Sequence, residues 1–123
     1  MRAALTGRHD ISMAIIFGSV ASGAERMESD IDIAVWAAQP LSTEQKMELI
    51  GDVAQATGRA VDLVDLRTAG EPLLGQIIRH GRRLFGSDEL YADLVRKHLF
   101  DAADFLPYAE RILVERRAIW TAP

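Results

Sequence analysis

The sequence contains no cysteine, so neither a disulfide bond nor a thiolate metal site can form within it. It has no apolar run long enough to cross a membrane, and residues 1–10 lack the apolar segment of a secretion signal. Basic residues are not in excess, because the formal net charge is −4. That balance argues against a broad basic surface for nucleic acid. These absences predict a cytoplasmic protein with no membrane contact and no direct nucleic-acid partner.

Zinc chemistry is also disfavoured. His9, His80 and His98 do not show the paired spacing of a zinc site, so we interpret each as a surface or packing residue. With 123 residues, of which 49% are hydrophobic, the chain is long enough to form one domain with a proper core.

A turn dipeptide follows the first apolar stretch of the chain. Residues 13–17 predict a buried strand that stops at Gly18, where the missing side chain lets the backbone approach a ligand closely. Phosphate oxygens can then lie against Gly18 and Ser19. A helix that begins at Ser19 would add unpaired N–H groups and the positive end of its dipole to that attraction.

Two carboxylates open the next strand. Asp30 and Asp32 differ by two positions, so a strand places them on the same face. Like charges held side by side repel each other unless a cation neutralises them. Magnesium prefers oxygen ligands and commonly bridges carboxylates to substrate phosphates, so this pair predicts a phosphoryl-transfer site.

The run VDLVDL, residues 61–66, offers a third carboxylate. Asp62 and Asp65 have opposite parity on a regular strand, so only one of them can join the first two. We favour Asp62, because it lies inside the apolar run, where an uncompensated carboxylate is costly. Asp65 is near the strand end, and we interpret it as solvated or capping.

Helices and strands alternate along residues 1–86. Ser42 opens a helix with a capping-box pattern, Gly58 ends it, and Pro72 and Gly81 bound another helix. From residue 87 onward the pattern is helical, and Pro107 is expected to kink or restart the helix. We therefore predict a single α/β domain over residues 1–123, with a small mixed sheet packed against helices in 1–86 and a C-terminal helical extension in 87–123.

Two surface features remain open at this stage. The basic residues around His80 indicate a solvated turn or, alternatively, a patch that contacts phosphate or RNA. The aromatic residues of the C-terminal helices belong either to the core or to a partner-binding face. Those aromatic residues are Phe100, Phe105, Tyr108 and Trp120.

The constellation resembles the nucleotidyltransferase superfamily that includes DNA polymerase beta. More narrowly, it is similar to the minimal nucleotidyltransferases (MNT proteins), small prokaryotic members often encoded beside a HEPN-domain ribonuclease as its antitoxin. The resemblance covers most of the chain and is carried by IIFGSVASG, SDIDIAV, VDLVDL, IIRHGRRLFG and DFLPYAERILVERR. One departure is Ser22, where many relatives have a basic residue.

The resemblance implies specific roles. Gly18 and Ser19 would bind nucleotide phosphates, while Asp30, Asp32 and Asp62 would bind two magnesium ions, with ATP as the donor. It further implies that AMP is transferred to a tyrosine of a partner HEPN toxin, which would neutralise the toxin. Two alternatives stay open: an antitoxin that blocks its partner by stoichiometric binding alone, and an enzyme that modifies a small molecule such as an aminoglycoside.

Overall fold

A computed structural model describes residues 1–6, 10–18 and 30–121; beyond residue 103 it describes the backbone and, of the side chains, only Arg111 and Val114. Ser19 and Ser22 lie outside the described residues, and so does His9. The elements, in chain order, are α1 (Arg2–Thr6), β1 (Ile11–Phe17), β2 (Ile31–Ala37), α2 (Thr43–Thr57), β3 (Val61–Asp65), α3 (Leu73–His80), β4 (Arg82–Phe85) and α4 (Asp88–Thr121).

The four strands form one mixed sheet in the order β3-β2-β1-β4. β1 pairs antiparallel with both β2 and β4, whereas β2 and β3 run parallel. The parallel pair is possible because α2 provides the long crossover between those two strands. The small mixed sheet with packed helices that the sequence predicts is confirmed.

Each face of the sheet is covered by its own pair of helices, because alternate residues of a strand point to opposite sides. On one face, odd-numbered residues of β2 pack with side chains of α1 and α2; these buried residues include Leu5, Ile31, Ile33, Val35, Leu49 and Val53. On the other face, α3 and α4 cover the sheet through Met13, Ile15, Ala34, Leu66, Leu74, Ile77 and Leu94. Asp32 and Asp62 have the parity of the second face.

The local signals in the sequence act where they were predicted. The Ser42 side chain accepts a hydrogen bond from the Gln45 backbone N–H, and the Gln45 side chain accepts one from the Ser42 N–H, so the capping box is complete. The Ser87 hydroxyl accepts from the Leu90 N–H in the same way at the start of α4. Each such cap satisfies a backbone donor that has no partner within the helix.

The prediction of a restarted helix at Pro107 is wrong. The backbone of α4 is helical without interruption from Asp88 to Thr121. A proline removes one backbone donor but has a helix-compatible φ, so a long helix can continue through it. No helix in the described ranges is long and apolar enough to cross a membrane.

Asp65 is buried rather than solvated, with a relative exposure of 3%. Its Oδ2 accepts a hydrogen bond of 2.8 Å from the Leu41 N–H, and its Oδ1 accepts one of 2.9 Å from the Arg67 N–H. The capping role considered for Asp65 is therefore correct, and its carboxylate ties the end of β3 to the segment before α2.

We expect Asp65→Asn to lower the free energy of unfolding by about 1 to 3 kcal/mol, because an amide has one acceptor oxygen and leaves one of the two backbone donors unpaired. Asp10→Asn, the same chemical change at an exposed position before β1, is the matched control and should stay within about 0.5 kcal/mol of wild type. Urea denaturation of the two variants measures both values. Equal stabilities would show that the two hydrogen bonds of Asp65 do not hold this part of the fold.

Candidate active site

The candidate site lies where β1 ends and where β2 and β3 begin. Phe17, the last residue of β1, pairs with Asp32 in the antiparallel register. Asp32 in turn pairs with Asp62 across the parallel register. Neighbouring strands are about 4.8 Å apart, so the backbone of Asp32 is one strand spacing from Phe17 on one side and from Asp62 on the other. Strand pairing therefore brings together two carboxylates that are 30 positions apart in sequence.

Gly18 packs directly on the carboxylate of Asp32. A Cβ added to Gly18 would contact Oδ2 of Asp32 and lie 3.1 Å from its Cγ. The φ angle of Gly18 is also positive, at 73°, a conformation that residues with side chains rarely adopt. Both the space and the backbone angle thus require glycine here, and the backbone lies against the Asp32 carboxylate only because no side chain intervenes.

The site concentrates negative charge. The pKa of Asp32 is raised, first by burial and then by the charge of Asp62, by a hydrogen bond with the Asp62 side chain, and by the charge of Asp30. Each cause disfavours the ionised form of Asp32. A cation bound between Asp32 and Asp62 would reverse the effect, since it favours both ionised carboxylates.

The carboxylates of the site can supply part of the coordination shell of a magnesium ion. Within the described ranges, no group of three or more His, Cys, Asp and Glu side chains could hold a metal ion. Asp32 and Asp62 nevertheless lie on paired positions of neighbouring strands, and the charges of Asp62 and Asp30 both act on Asp32. Magnesium commonly uses one or two carboxylates and completes its shell with water and substrate phosphates. The residues therefore fit a metal that arrives together with a phosphate-bearing substrate.

The reason given from sequence for choosing Asp62 was wrong, although its position supports the choice. Asp62 is exposed, because β3 is an edge strand and Asp62 is only its second residue. The buried carboxylate of the VDLVDL run is Asp65, which pairs in register with Val35. Three residues of strand, about 10 Å, separate Asp65 from Asp62, so Asp65 is remote from Asp32.

Sequence reasoning missed one polar pair outside this site. Glu71 Oε1 contacts Nδ1 of His98, and both side chains are largely buried. The packing role expected for His98 is thus observed, but its partner is 27 positions away. No spacing rule links two residues that meet only when α4 packs against the start of α3.

Comparison with known protein families supports the geometry. Residues 2–90 match the model of the family described as "Polymerase beta, Nucleotidyltransferase". The chain belongs to this nucleotidyltransferase family. The match includes β1, β2 and β3 together with the three carboxylates, so the four-stranded architecture is the polymerase beta-like minimal nucleotidyltransferase fold.

Relatives of this nucleotidyltransferase include proteins of toxin-antitoxin pairs. It is 41% identical over 85 residues to the protein adenylyltransferase MntA of Shewanella oneidensis, covering 67% of this chain and 61% of the relative. The chain therefore spans about three fifths of the length of that curated relative.

Two solved structures are also similar. One is a toxin-antitoxin crystal structure with AMP-PNP, with a TM-score of 0.65 and 34% identity over 89% of this chain and 83% of that one. The other is a tri-AMPylated HEPN toxin of Shewanella oneidensis in complex with MNT antitoxin; here the TM-score is 0.60 and the identity 29%, over 97% of this chain and 85% of that one.

We expect Asp32→Asn to raise the melting temperature of the metal-free nucleotidyltransferase at neutral pH. The raised pKa of Asp32 means that the folded protein holds this proton more tightly than the unfolded chain does. That stabilisation is present below the ordinary pKa of aspartate and is lost as the pH rises through the raised value. The amide stays neutral at every pH, so its advantage should shrink towards about pH 4.

Thermal melts in chelator across this pH range measure the effect, and Glu89→Gln, an exposed change on α4, is the control. A variant that melts below wild type at neutral pH would contradict the charge repulsion at Asp32.

Proposed function

We propose that this nucleotidyltransferase is a magnesium-dependent protein adenylyltransferase that acts as an antitoxin. It transfers AMP from ATP to a tyrosine hydroxyl of a partner HEPN ribonuclease toxin and so neutralises the toxin. The observation that carries the proposal is the register that sets Asp32 beside Asp62, with Gly18 packed on the Asp32 carboxylate. A site of this kind suits a triphosphate and its metal ion.

The relatives support the donor and the acceptor. The curated relative is a protein adenylyltransferase, one similar structure holds AMP-PNP, and another holds an AMPylated HEPN toxin with its MNT antitoxin. AMP-PNP has the adenosine and triphosphate groups of ATP, which favours ATP as the donor. ATP and the toxin would both be met in the cytoplasm, where we place the protein.

Each site residue has a role in the proposal. Asp32 and Asp62 hold the metal ions with Asp30 beside them, and the backbone at Gly18 and Ser19 positions the triphosphate. Magnesium bound there would supply Lewis-acid stabilisation of the negative charge that develops on the phosphate oxygens. Gly18 contributes through its backbone, because a side chain at that position would occupy the space of the Asp32 carboxylate.

The chemical step is a substitution at the α-phosphorus of ATP. The tyrosine oxygen forms a new bond to this phosphorus, the bond from the phosphorus to the β-phosphate bridging oxygen breaks, and pyrophosphate leaves. Asp62 is exposed at the start of β3 and is therefore accessible to an incoming hydroxyl. We assign it the task of accepting the hydroxyl proton or holding the metal ion that activates the hydroxyl.

The partner surface is assigned to residues 87–123, the helical extension of the catalytic core in residues 1–86. Leu99 and Phe100 on α4 are 62% and 69% exposed, and Val114 further along the helix is 62% exposed. Large apolar side chains exposed along one helix are typical of an interaction surface. The side chains of the other aromatic residues considered for this face, Phe105, Tyr108 and Trp120, lie outside the described part of the chain.

The decisive experiment removes the charges of Asp30 and Asp32, at the start of β2. We expect Asp30→Asn combined with Asp32→Asn to abolish transfer of labelled AMP to the HEPN partner, because neither amide can hold magnesium as a carboxylate does. The double variant should remain folded, since it removes charges that repel each other. The matched control is Glu44→Gln with Glu89→Gln, which removes two exposed negative charges away from the site.

Unchanged transfer by the Asp30 and Asp32 double variant would refute the catalytic assignment. Toxin neutralised equally well by wild type and by this variant, with no AMP on the toxin in either case, would instead identify an antitoxin that acts by stoichiometric binding.

A second comparison tests the third carboxylate. We expect Asp62→Asn to lose far more transfer activity than Asp65→Asn, because only Asp62 pairs in register with Asp32. The assays should be run at a temperature where circular dichroism shows both variants folded, since Asp65→Asn is expected to be less stable. Equal losses among folded molecules would remove Asp62 from the site.

A further inference from the structure

A cavity of about 270 Å³ lies between α3 and α4. It is lined by Glu71, Pro72, Gly75, Gln76, Arg79, His98 and Ala102. Glu71 precedes α3, whereas Gly81 follows it and packs on Ile15 close to the end of β1. An eight-residue helix is about 12 Å long, so the Glu71 end of the cavity is separate from the carboxylate site, whereas Arg79, in the last turn of α3, is at the end nearer to that site.

The polar floor of the cavity is already organised. Glu71 Oε2 accepts a hydrogen bond of 3.2 Å from the Gly75 N–H, and Oε1 pairs with Nδ1 of His98. The side chains of Glu71 and His98 are only 6% and 15% exposed. A Cβ on Gly75 would lie 2.9 Å from Cε1 of His98, so glycine makes room for the ring. Both oxygens of Glu71 are thus used internally, while Nε2 of His98 forms no hydrogen bond with the described residues.

The rim of the cavity carries an exposed cation, Arg79. Arg79 is exposed and forms no ion pair within the described part of the chain. By contrast, three cations close by in sequence each hold a carboxylate: Arg83 with Asp88, Arg96 with Asp93, and Lys97 with Asp101. The guanidinium of Arg79 is always charged and matches a carboxylate with two parallel hydrogen bonds. Gln76, three positions before Arg79, also lines the cavity. Its exposed amide provides another hydrogen-bond donor.

We infer that this cavity receives an acidic side chain of the partner toxin, with its carboxylate on Arg79 and beside His98. The inference rests on the proposed antitoxin function and deepens it by assigning a specific anchor point. Charge complementarity favours a carboxylate, since both oxygens of Glu71 already have partners, whereas Arg79 has no ion pair among the described residues. The apolar surface beside the cavity favours a protein as its source, because Leu99 follows His98 directly on α4 and is 62% exposed.

The test compares the affinity of the full-length chain for the HEPN partner before and after Arg79→Gln. We expect this change to weaken the complex by about tenfold or more, because it removes the charge that pairs with the buried carboxylate. Arg96→Gln is the matched control, since it removes an exposed arginine of α4 outside the cavity and should leave the affinity unchanged. Binding of ATP with magnesium is measured for both variants, and a loss of ATP binding in Arg79→Gln would place its guanidinium in the nucleotide site and overturn the anchor.

A second variant tests the cavity itself. Ala102→Leu keeps every charge but places a larger side chain in the space that the acidic residue would enter, so it should weaken the complex as well. Loss of affinity in both Arg79→Gln and Ala102→Leu supports the inference. Loss in Arg79→Gln alone would place the arginine on an open contact surface and overturn the cavity assignment.

Two further outcomes separate the inference from the function on which it rests. Wild-type affinity in Arg79→Gln, with AMP transfer to the partner intact, would overturn the anchor and leave the proposed function standing. No complex and no transfer with wild-type protein would overturn both. Sodium acetate serves as the small-carboxylate probe, and tighter binding of acetate than of the partner would reassign the cavity to a small molecule.

Discussion

The parallel pairing of β2 with β3 is the constraint on which the site depends. Its register sets Asp32 beside Asp62, and the antiparallel pairing on the other side sets Asp32 beside Phe17 and hence next to Gly18. A slip of one residue would turn a carboxylate to the opposite face of the sheet. The packing on the two faces opposes such a slip, because Ile31, Ile33 and Val35 would lose their contacts with α1 and α2. The core that stabilises the fold therefore also sets the spacing of Asp32 and Asp62.

Sequence reasoning succeeded where the determinants are local. The cap at Ser42 and the strand that carries Asp32 each depend on a few neighbouring residues, and both were predictable, although Asp30 directly precedes that strand instead of belonging to it. The burial of Asp62 and Asp65 depends instead on which strand forms the sheet edge and on where the Leu41 backbone passes. Parity separated these two aspartates correctly, but it could not show which of them was buried. Pro107 was misjudged because its local preference is overridden within a long helix.

Three carboxylates illustrate opposite uses of the same chemical group. The carboxylate oxygens of Asp65 and Glu71 accept hydrogen bonds from backbone N–H groups, and one oxygen of Glu71 also contacts His98. Both carboxylates therefore have partners before any ligand binds. Asp32 instead faces other carboxylates, which raise its pKa and leave its charge uncompensated. The fold thus provides hydrogen-bond partners for Asp65 and Glu71 but leaves Asp32 beside like charges. The unfavourable electrostatic energy is concentrated at Asp32, where a bound cation can relieve it.

The burial of Leu94 limits where the chain can be divided into separate parts. This residue of α4 is fully buried among Met13, Ile15, Leu74 and Ile77, so the first part of the helix completes the core beneath the sheet. Removing the chain from residue 87 onward would uncover an apolar surface on the face that carries Asp32. Any exchange of the C-terminal helix between related proteins therefore has to preserve its first turns. An exchange limited to the part of α4 beyond those turns would keep this buried contact intact.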